Sequence, residues 1–217
     1  MAIQENVDGL VHISFDDPPT PQFIALAAAR KVFVAPTLTV LESATGIPSG
    51  ESLTHDPHLA PYLTAEEIEN LRFAFPNRGG LTLDGALSAV AQLKAAGVPI
   101  LAGSDAPNPG TAWGVSIHRE MELLVAAGLS PIEALRAATS APADAFRLKD
   151  RGRIAKGLRA DLVLVNGNPD EDITATRDIL RVWKLGMEVA RTPVPVWMTA
   201  TGLRQAFESG RAHAHAH

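Results

Sequence analysis

The sequence predicts an α/β fold built on a parallel sheet, followed by a small antiparallel sheet. Over residues 7–148, short apolar segments alternate with amphipathic helical segments, an order typical of parallel strands joined by helical crossovers. After Leu148 the pattern changes to short alternating strands with glycine turns, including a predicted hairpin turn at Lys184–Gly186. We therefore expect a domain boundary near residue 149.

The first third of the chain contains two apolar segments separated by a predicted helix. "VDGLVHISF" (7–15) is short and rich in β-branched residues, which predicts a buried parallel strand. Helical periodicity follows at 22–31, with Pro21 near the first turn. The apolar run 32–43 is predicted to be the second strand, and the proline- and glycine-rich stretch 45–63 a long loop.

The remaining helices are predicted from their amphipathic pattern and from their capping residues. They span 64–75, 82–97, 116–128 and 130–148. Thr64 with Glu67, and Ser130 with Glu133, have the spacing of capping boxes. The segment 98–105 has the composition of a buried strand.

Composition excludes several classes of function. The chain has 217 residues, a formal net charge of -5 and no cysteine, so a nucleic-acid partner, disulfides and thiolate metal sites are not expected. No apolar run approaches the roughly 18 residues of a membrane span, and we expect a cytoplasmic protein. The terminal "RAHAHAH" is typical of an affinity tag, and the early entry into a strand suggests that the chain is cut from a longer one.

Two polar residues stand at the ends of apolar strands. In "ILAGSDAPNP" (100–109) the strand runs directly into Asp105, which is followed by prolines. Asp105 is either an ordinary turn residue or an acid–base group at the mouth of a parallel barrel. His12, at the end of "GLVH", is either a hydrogen-bonded core residue or a metal ligand.

Several segments resemble the amidohydrolase superfamily, in particular its imidazolonepropionase-like and prolidase-like metal-dependent hydrolases. They are "VDGLVH", "GSDAPNPGTAWG", "HREMELLVAAGLSPIEALRAATSAPADAF" and "GRIAKGLRADLVLVNGNP". The resemblance extends from about Val7 to about Val189 and implies the C-terminal half of that fold. The implied architecture is a partial (β/α)8 TIM-type barrel (1–148, the last three β/α units), then the C-terminal strands of a small β-sandwich (149–200). Residues 201–217 would form a C-terminal helix and the His-Ala tail.

The resemblance also implies roles for four residues. His12 matches the metal-binding histidine of the sixth barrel strand, and Asp105 matches the aspartate of the eighth, which binds the metal and takes the proton of the attacking water. The implied cofactor is Zn²⁺ or another divalent metal. Trp113 stands where many relatives have a histidine that points at the substrate, and His118 is either structural or close to the substrate.

The expected function is therefore metal-dependent hydrolysis of an amide, cyclic amide, dipeptide or ester bond in a small molecule. Because two ligands cannot hold a catalytic zinc, we expect the chain to need self-association, most simply a dimer that pairs exposed sheet edges, or an N-terminal half. Two alternatives remain open. One is an inactive half-barrel fragment, natural or engineered, and the other is a metal-independent promiscuous esterase that uses Asp105 and His118.

Overall fold

The computed structural model describes residues 2–14, 18–77 and 79–195. The helices are α1 (Pro21–Arg30), α2 (Leu38–Ala44), α3 (Glu51–Thr54), α4 (Ala65–Leu71), α5 (Asp84–Ala95), α6 (Ser116–Ala126), α7 (Pro131–Ala138) and α8 (Ser140–Ala145). The strands are β1 (Gly9–Val11), β2 (Phe33–Ala35), β3 (Leu162–Val165), β4 (Ile179–Lys184) and β5 (Met187–Val189). Within these ranges, 3-10 helices lie at Ala2–Glu5, Ala60–Tyr62 and Ile173–Arg177. The predicted C-terminal helix and tail at 201–217 fall outside the described residues.

Three neighbouring segments form the parallel sheet. β1 pairs with β2 in parallel, with Leu10 opposite Val34. Val34 also forms a parallel bridge to Ile100, and its amide and carbonyl bond Pro99 and Leu101 at 2.8 and 2.9 Å. The predicted strand 98–105 is therefore present only as this short bridged segment. The fold is mixed α/β, and no closed barrel forms within the described residues.

The core lies between this sheet and the helices that cover one of its faces. Val34 of β2, Val90 and Leu93 of α5 and Leu124 of α6 are all almost inaccessible to water and belong to one cluster. Each such side chain contributes roughly 1.5–3 kcal/mol when fully buried. This packing fixes the direction of the strands and thus the position of their carboxyl ends.

The prediction of a strand over 32–43 is wrong beyond Ala35. The strand ends there, Thr37 adopts a left-handed conformation, and α2 begins at Leu38. The buried carboxylate of Glu120 accepts hydrogen bonds from the amides of Leu38 and Thr39, which are the free amides of the first turn of α2. A partner more than 80 residues away thus favours a helix where β-branched residues locally favour a strand.

Two other segments also differ from expectation. The stretch 45–63 is not a structureless loop, because it contains α3 and the 3-10 helix Ala60–Tyr62. The helix predicted over 130–148 is interrupted at Thr139, whose φ and ψ of -131° and -82° separate α7 from α8. Both predicted capping boxes are confirmed, at the start of α4 and at the start of α7.

The small sheet that follows is antiparallel, in the order β3–β4–β5. The predicted hairpin turn is confirmed, and Leu185 and Gly186 both have positive φ, as a two-residue turn of type I′ requires. Val163, Val182 and Val189 are cross-strand partners and so share one face. Within the described ranges no helix has the length and apolar character needed to cross a membrane. The domain boundary near residue 149 stays a prediction.

Candidate active site at the carboxyl edge of the parallel sheet

Three residues with left-handed backbone conformations mark the carboxyl edge of the parallel sheet. His12 follows β1, Thr37 follows β2, and Asp105 follows the segment bridged through Ile100, with φ of 66°, 55° and 54°. Left-handed conformations are uncommon in residues other than glycine, and such strained residues are frequent at functional sites. Their occurrence at three adjacent strand ends makes this edge the candidate site.

The orientation of His12 is set by Thr37. His12 Nδ1 lies 2.7 Å from the Thr37 hydroxyl oxygen, and that hydroxyl donates its proton to the carbonyl of Pro36 at 2.7 Å. A hydroxyl has only one proton to donate, so with that proton on the Pro36 carbonyl its oxygen accepts the Nδ1–H of His12. The lone pair of His12 Nε2 is then available to bind a cation.

Asp105 is held by the loop that follows it. Its Oδ2 accepts a hydrogen bond from Asn108 Nδ2 at 2.8 Å, and the same Nδ2 donates to the Asp105 carbonyl at 2.7 Å. Asn70 of α4 in turn donates to the carbonyls of Pro107, Asn108 and Thr111 at 3.3, 3.1 and 2.6 Å. The carboxylate is therefore positioned by a loop that is itself fixed to α4.

His12 and Asp105 face each other across the edge of the sheet. His12 Nε2 lies 3.9 Å from Asp105 Oδ2, and the two side chains are 49% and 39% exposed. When Nδ1 carries the proton of His12, the lone pairs of His12 Nε2 and Asp105 Oδ2 face each other at this distance. A cation bound between the two atoms would stabilise this arrangement.

The pair fits part of a metal site. A catalytic zinc usually has three protein ligands, and the described part of the chain contains no group of three histidine or acidic side chains that could hold a metal. The pair alone therefore falls short of the three protein ligands that a catalytic zinc usually has.

Trp113 lies apart from this pair. It lines a cavity of about 690 Å³, together with Asn70, Phe73, Pro107 and glutamates of α4. His12 lines a different cavity, of about 350 Å³, with Phe23. The indole is 72% exposed. Trp113 and Asp105 lie on the same loop, whereas Trp113 and His12 line different cavities.

His118 is buried against the 3-10 helix Ile173–Arg177. Its Nδ1 lies 2.9 Å from the hydroxyl of Thr176, which donates to the Ile173 carbonyl. Burial, reinforced by the nearby Arg177 guanidinium, lowers the pKa of His118 from 6.5 to about 4, so the ring is neutral near pH 7. These contacts are structural, and the substrate-binding role of His118 stays a prediction.

Sequence reasoning missed Thr37, Asn70, Asn108 and Glu120. Glu120 carried a usable signal, because it lies at helical spacing from the buried Leu123 and Leu124 and so falls on the apolar face of α6. Burial raises the pKa of Glu120 to about 7, against the lowering effect of the hydrogen bonds from Thr39. The other three residues carry no comparable signal, since their roles depend on loop geometry.

Salt bridges fix α6 to its neighbours. Arg119 pairs with Glu42 of α2 and with Glu122, and Arg177 pairs with Glu122 and with Asp56 at 3.2 Å. The hydrogen bond to Glu42, above all, raises the pKa of Arg119. These salt bridges connect α6, the helix that carries Glu120, to α2 and to the 3-10 helix Ile173–Arg177. Through Arg177 they also reach Asp56, in the segment that follows α3.

The parallel sheet has a histidine and an aspartate at the ends of the two segments that flank β2, and this defines the class of protein: an α/β protein with polar side chains at the carboxyl edge of its sheet. The sequence profile of the amidohydrolase family matches residues 16–191, and the chain belongs to this family. The members of this family are hydrolases that typically depend on a metal.

Individual relatives match over parts of their length. An adenine deaminase from Lysinibacillus sphaericus is 39% identical over 75 residues, which cover 35% of this chain and 12% of the relative. An imidazolonepropionase from Anaeromyxobacter sp. is 38% identical over 106 residues, which cover 47% of this chain and 25% of the relative.

Solved structures give the same result. A Bifidobacterium longum protein described as a prolidase superposes with a TM-score of 0.61 and 28% identity, covering 93% of this chain and 46% of its own. A Xaa-Pro dipeptidase with bound methionine superposes with a TM-score of 0.59 and 25% identity, covering 88% of this chain and 41% of its own. The chain thus spans less than half the length of these relatives.

Proposed function

We propose that the chain supplies the last three β/α units of a metal-dependent amidohydrolase barrel, together with part of its small sandwich. The observation that carries this proposal is the approach of His12 Nε2 to Asp105 Oδ2, 3.9 Å apart, at the ends of the two segments that flank β2. Active sites of such barrels lie at the carboxyl ends of the strands. In this proposal His12 and Asp105 are two of the metal ligands.

Asp105 has the surroundings of a residue that moves a proton. Zn²⁺ or a similar divalent cation, when bound, lowers the pKa of a coordinated water to about 7. Asn108 fixes Asp105 Oδ2, while no hydrogen bond occupies Oδ1 among the described residues. Asp105 would accept the proton of the attacking water and return it to the leaving group, a step worth roughly 100- to 10,000-fold in rate.

The substrate in this proposal is a small molecule with an amide, cyclic amide, dipeptide or ester bond. The relatives named above include a dipeptidase, a deaminase and an imidazolonepropionase, and this favours a carbon–nitrogen bond. Trp113 supports an apolar or aromatic substrate group, because its exposed indole offers a flat apolar surface and a single N–H donor.

In this proposal, a second polypeptide segment supplies the remaining metal ligands and completes the site. Val11 and Phe146 are each 59% exposed. Val163, Met187 and Val189 of the small sheet are exposed as well. Apolar surface of this kind is a frequent mark of an interface. We propose that it is covered either by an N-terminal barrel half, on the same or another chain, or by a second copy of this chain.

The experiment measures zinc content and turnover of the purified chain, alone and co-expressed with the N-terminal half of the Bifidobacterium longum relative. Substrates are Xaa-Pro dipeptides and an activated ester, assayed with and without chelator. Light scattering reports the oligomeric state. We expect chelator-sensitive turnover in the completed species, and Asp105→Asn should reduce it by at least about 100-fold.

Asp170→Asn is the matched control, because Asp170 is exposed near the small sheet and its side chain has no role in the proposed site. It should retain the parent rate. Unchanged turnover in Asp105→Asn would refute the assignment of this carboxylate. Turnover that ignores chelator would support the metal-independent esterase, and absence of both zinc and turnover in every species would support the inactive half-barrel.

A further inference from the structure

A buried carboxylate holds the strand end that contacts His12. Glu120 is fully inaccessible to water. Its Oε1 accepts the amide proton of Leu38 at 3.0 Å, and its Oε2 accepts both the amide and the hydroxyl protons of Thr39 at 2.8 Å. All three donors belong to the first turn of α2, directly after Thr37.

These bonds constrain Thr37 from one side and the sheet constrains it from the other. β2 ends at Ala35, and the carbonyl of Ala35 accepts the amide proton of His12 at 2.9 Å. Thr37 lies between these anchors with φ and ψ of 55° and 47°, a conformation that a β-branched residue rarely adopts. Glu120 fixes the first turn of α2, and the position of that turn determines where the Thr37 hydroxyl lies.

We propose that Glu120 is a positioning residue for His12, acting through Thr37. By fixing the first turn of α2, Glu120 keeps the Thr37 hydroxyl oxygen within 2.7 Å of His12 Nδ1 and so selects the tautomer with the proton on Nδ1. That tautomer directs the Nε2 lone pair towards Asp105, 3.9 Å away. The relevance to catalysis rests on the proposed function, whereas the effect on the tautomer is a property of the chain itself.

A purely structural role for Glu120 predicts a different result. If the carboxylate only satisfies buried amides, its replacement lowers stability and leaves the imidazole of His12 as it was. Gln at this position has one acceptor oxygen and an NH₂ group that would face an amide donor, so at least one bond to α2 is lost. Thr37 is then free to leave its left-handed conformation, and Nδ1 loses its acceptor.

The test is long-range ¹H–¹⁵N NMR of histidine-labelled protein at pH 8, with His12 assigned through a His12→Gln variant. We expect the Nδ1–H tautomer to predominate in the parent, and to give way to a mixture of tautomers in Glu120→Gln and in Thr37→Val. Thr37→Ser keeps the hydroxyl and should keep the parent spectrum. Glu122→Gln is the matched control on the same helix, because Glu122 pairs with Arg119 and Arg177 and not with α2.

Should Glu120→Gln fail to fold, Glu120→Asp keeps the charge but withdraws the carboxylate by one methylene, and it should produce the same tautomer mixture. A folded Glu120→Gln or Glu120→Asp protein with an unchanged His12 spectrum would overturn the proposal. In a completed, active species, Glu120→Gln should lower metal affinity or activity by about 10- to 100-fold. Loss of the tautomer without any turnover in the parent would refute the proposed function and leave the positioning role intact.

Discussion

His118 and Glu120 lie two residues apart on α6, and burial moves their pKa values in opposite directions. The pKa of His118 falls from 6.5 to about 4, and that of Glu120 rises from 4.5 to about 7. The unfolded chain binds a proton more tightly than the folded one at residue 118, so this group makes stability rise with pH between about 4 and 6.5. At residue 120 the folded chain binds the proton more tightly, so stability falls with rising pH between about 4.5 and 7.

The two effects should nearly cancel in the parent protein. Over pH 4.5–6.5 each group changes the free energy of unfolding by about 2 kcal/mol, since one pH unit of displacement is worth about 1.4 kcal/mol. The pKa of Glu133, lowered to about 2 chiefly by its hydrogen bond from Lys94, affects stability below this window. The contribution of these groups to the parent profile is therefore nearly flat.

Replacing either residue by the neutral Gln should reveal the other. Glu120→Gln should become about 2 kcal/mol more stable, relative to its own value at pH 4.5, when the pH rises to 6.5. His118→Gln should lose about the same amount over that range. The assay is urea unfolding followed by circular dichroism at pH 4.5, 5.5 and 6.5 and constant ionic strength.

The slope with pH is the informative quantity, because both substitutions also change overall stability. If the two variants and the parent give parallel profiles, the buried groups do not titrate as their surroundings require. The reasoning about their burial would then be refuted.

Two further predictions concern the loop that carries Asp105. Gly110 has φ of 82°, and a Cβ there would lie 2.7 Å from the Ser43 hydroxyl, whereas Gly114 has a similar φ of 75° but open space around it. Gly110→Ala should therefore lower the melting temperature by several degrees more than Gly114→Ala. Equal losses in a thermal melt would contradict this. Asn70→Ala removes all three side-chain hydrogen bonds to the loop carbonyls. It should lower the free energy of unfolding in urea by about 1–3 kcal/mol and, in a completed species, reduce turnover. Full stability and full turnover together would show that Asp105 does not depend on this anchor.

The sequence by itself determined which class of fold this chain has and where several of its elements begin. Alternation of apolar and amphipathic segments predicted the parallel sheet, because burial on both faces leaves a continuous apolar run in each strand. The capping boxes at Thr64 and Ser130 were correct, since they depend on residues only three positions apart. The position of Asp105 after an apolar run also placed it at a strand end.

Only the tertiary structure decided how the candidate site is held. Residues 38–44 are locally compatible with a strand, and they form a helix because Glu120, more than 80 residues away, binds the amides of its first turn. That contact also holds the segment next to the left-handed Thr37, and in our proposal it sets the tautomer of His12. A residue pattern records local propensity and burial, whereas hydrogen bonds between distant segments exist only once the chain has folded.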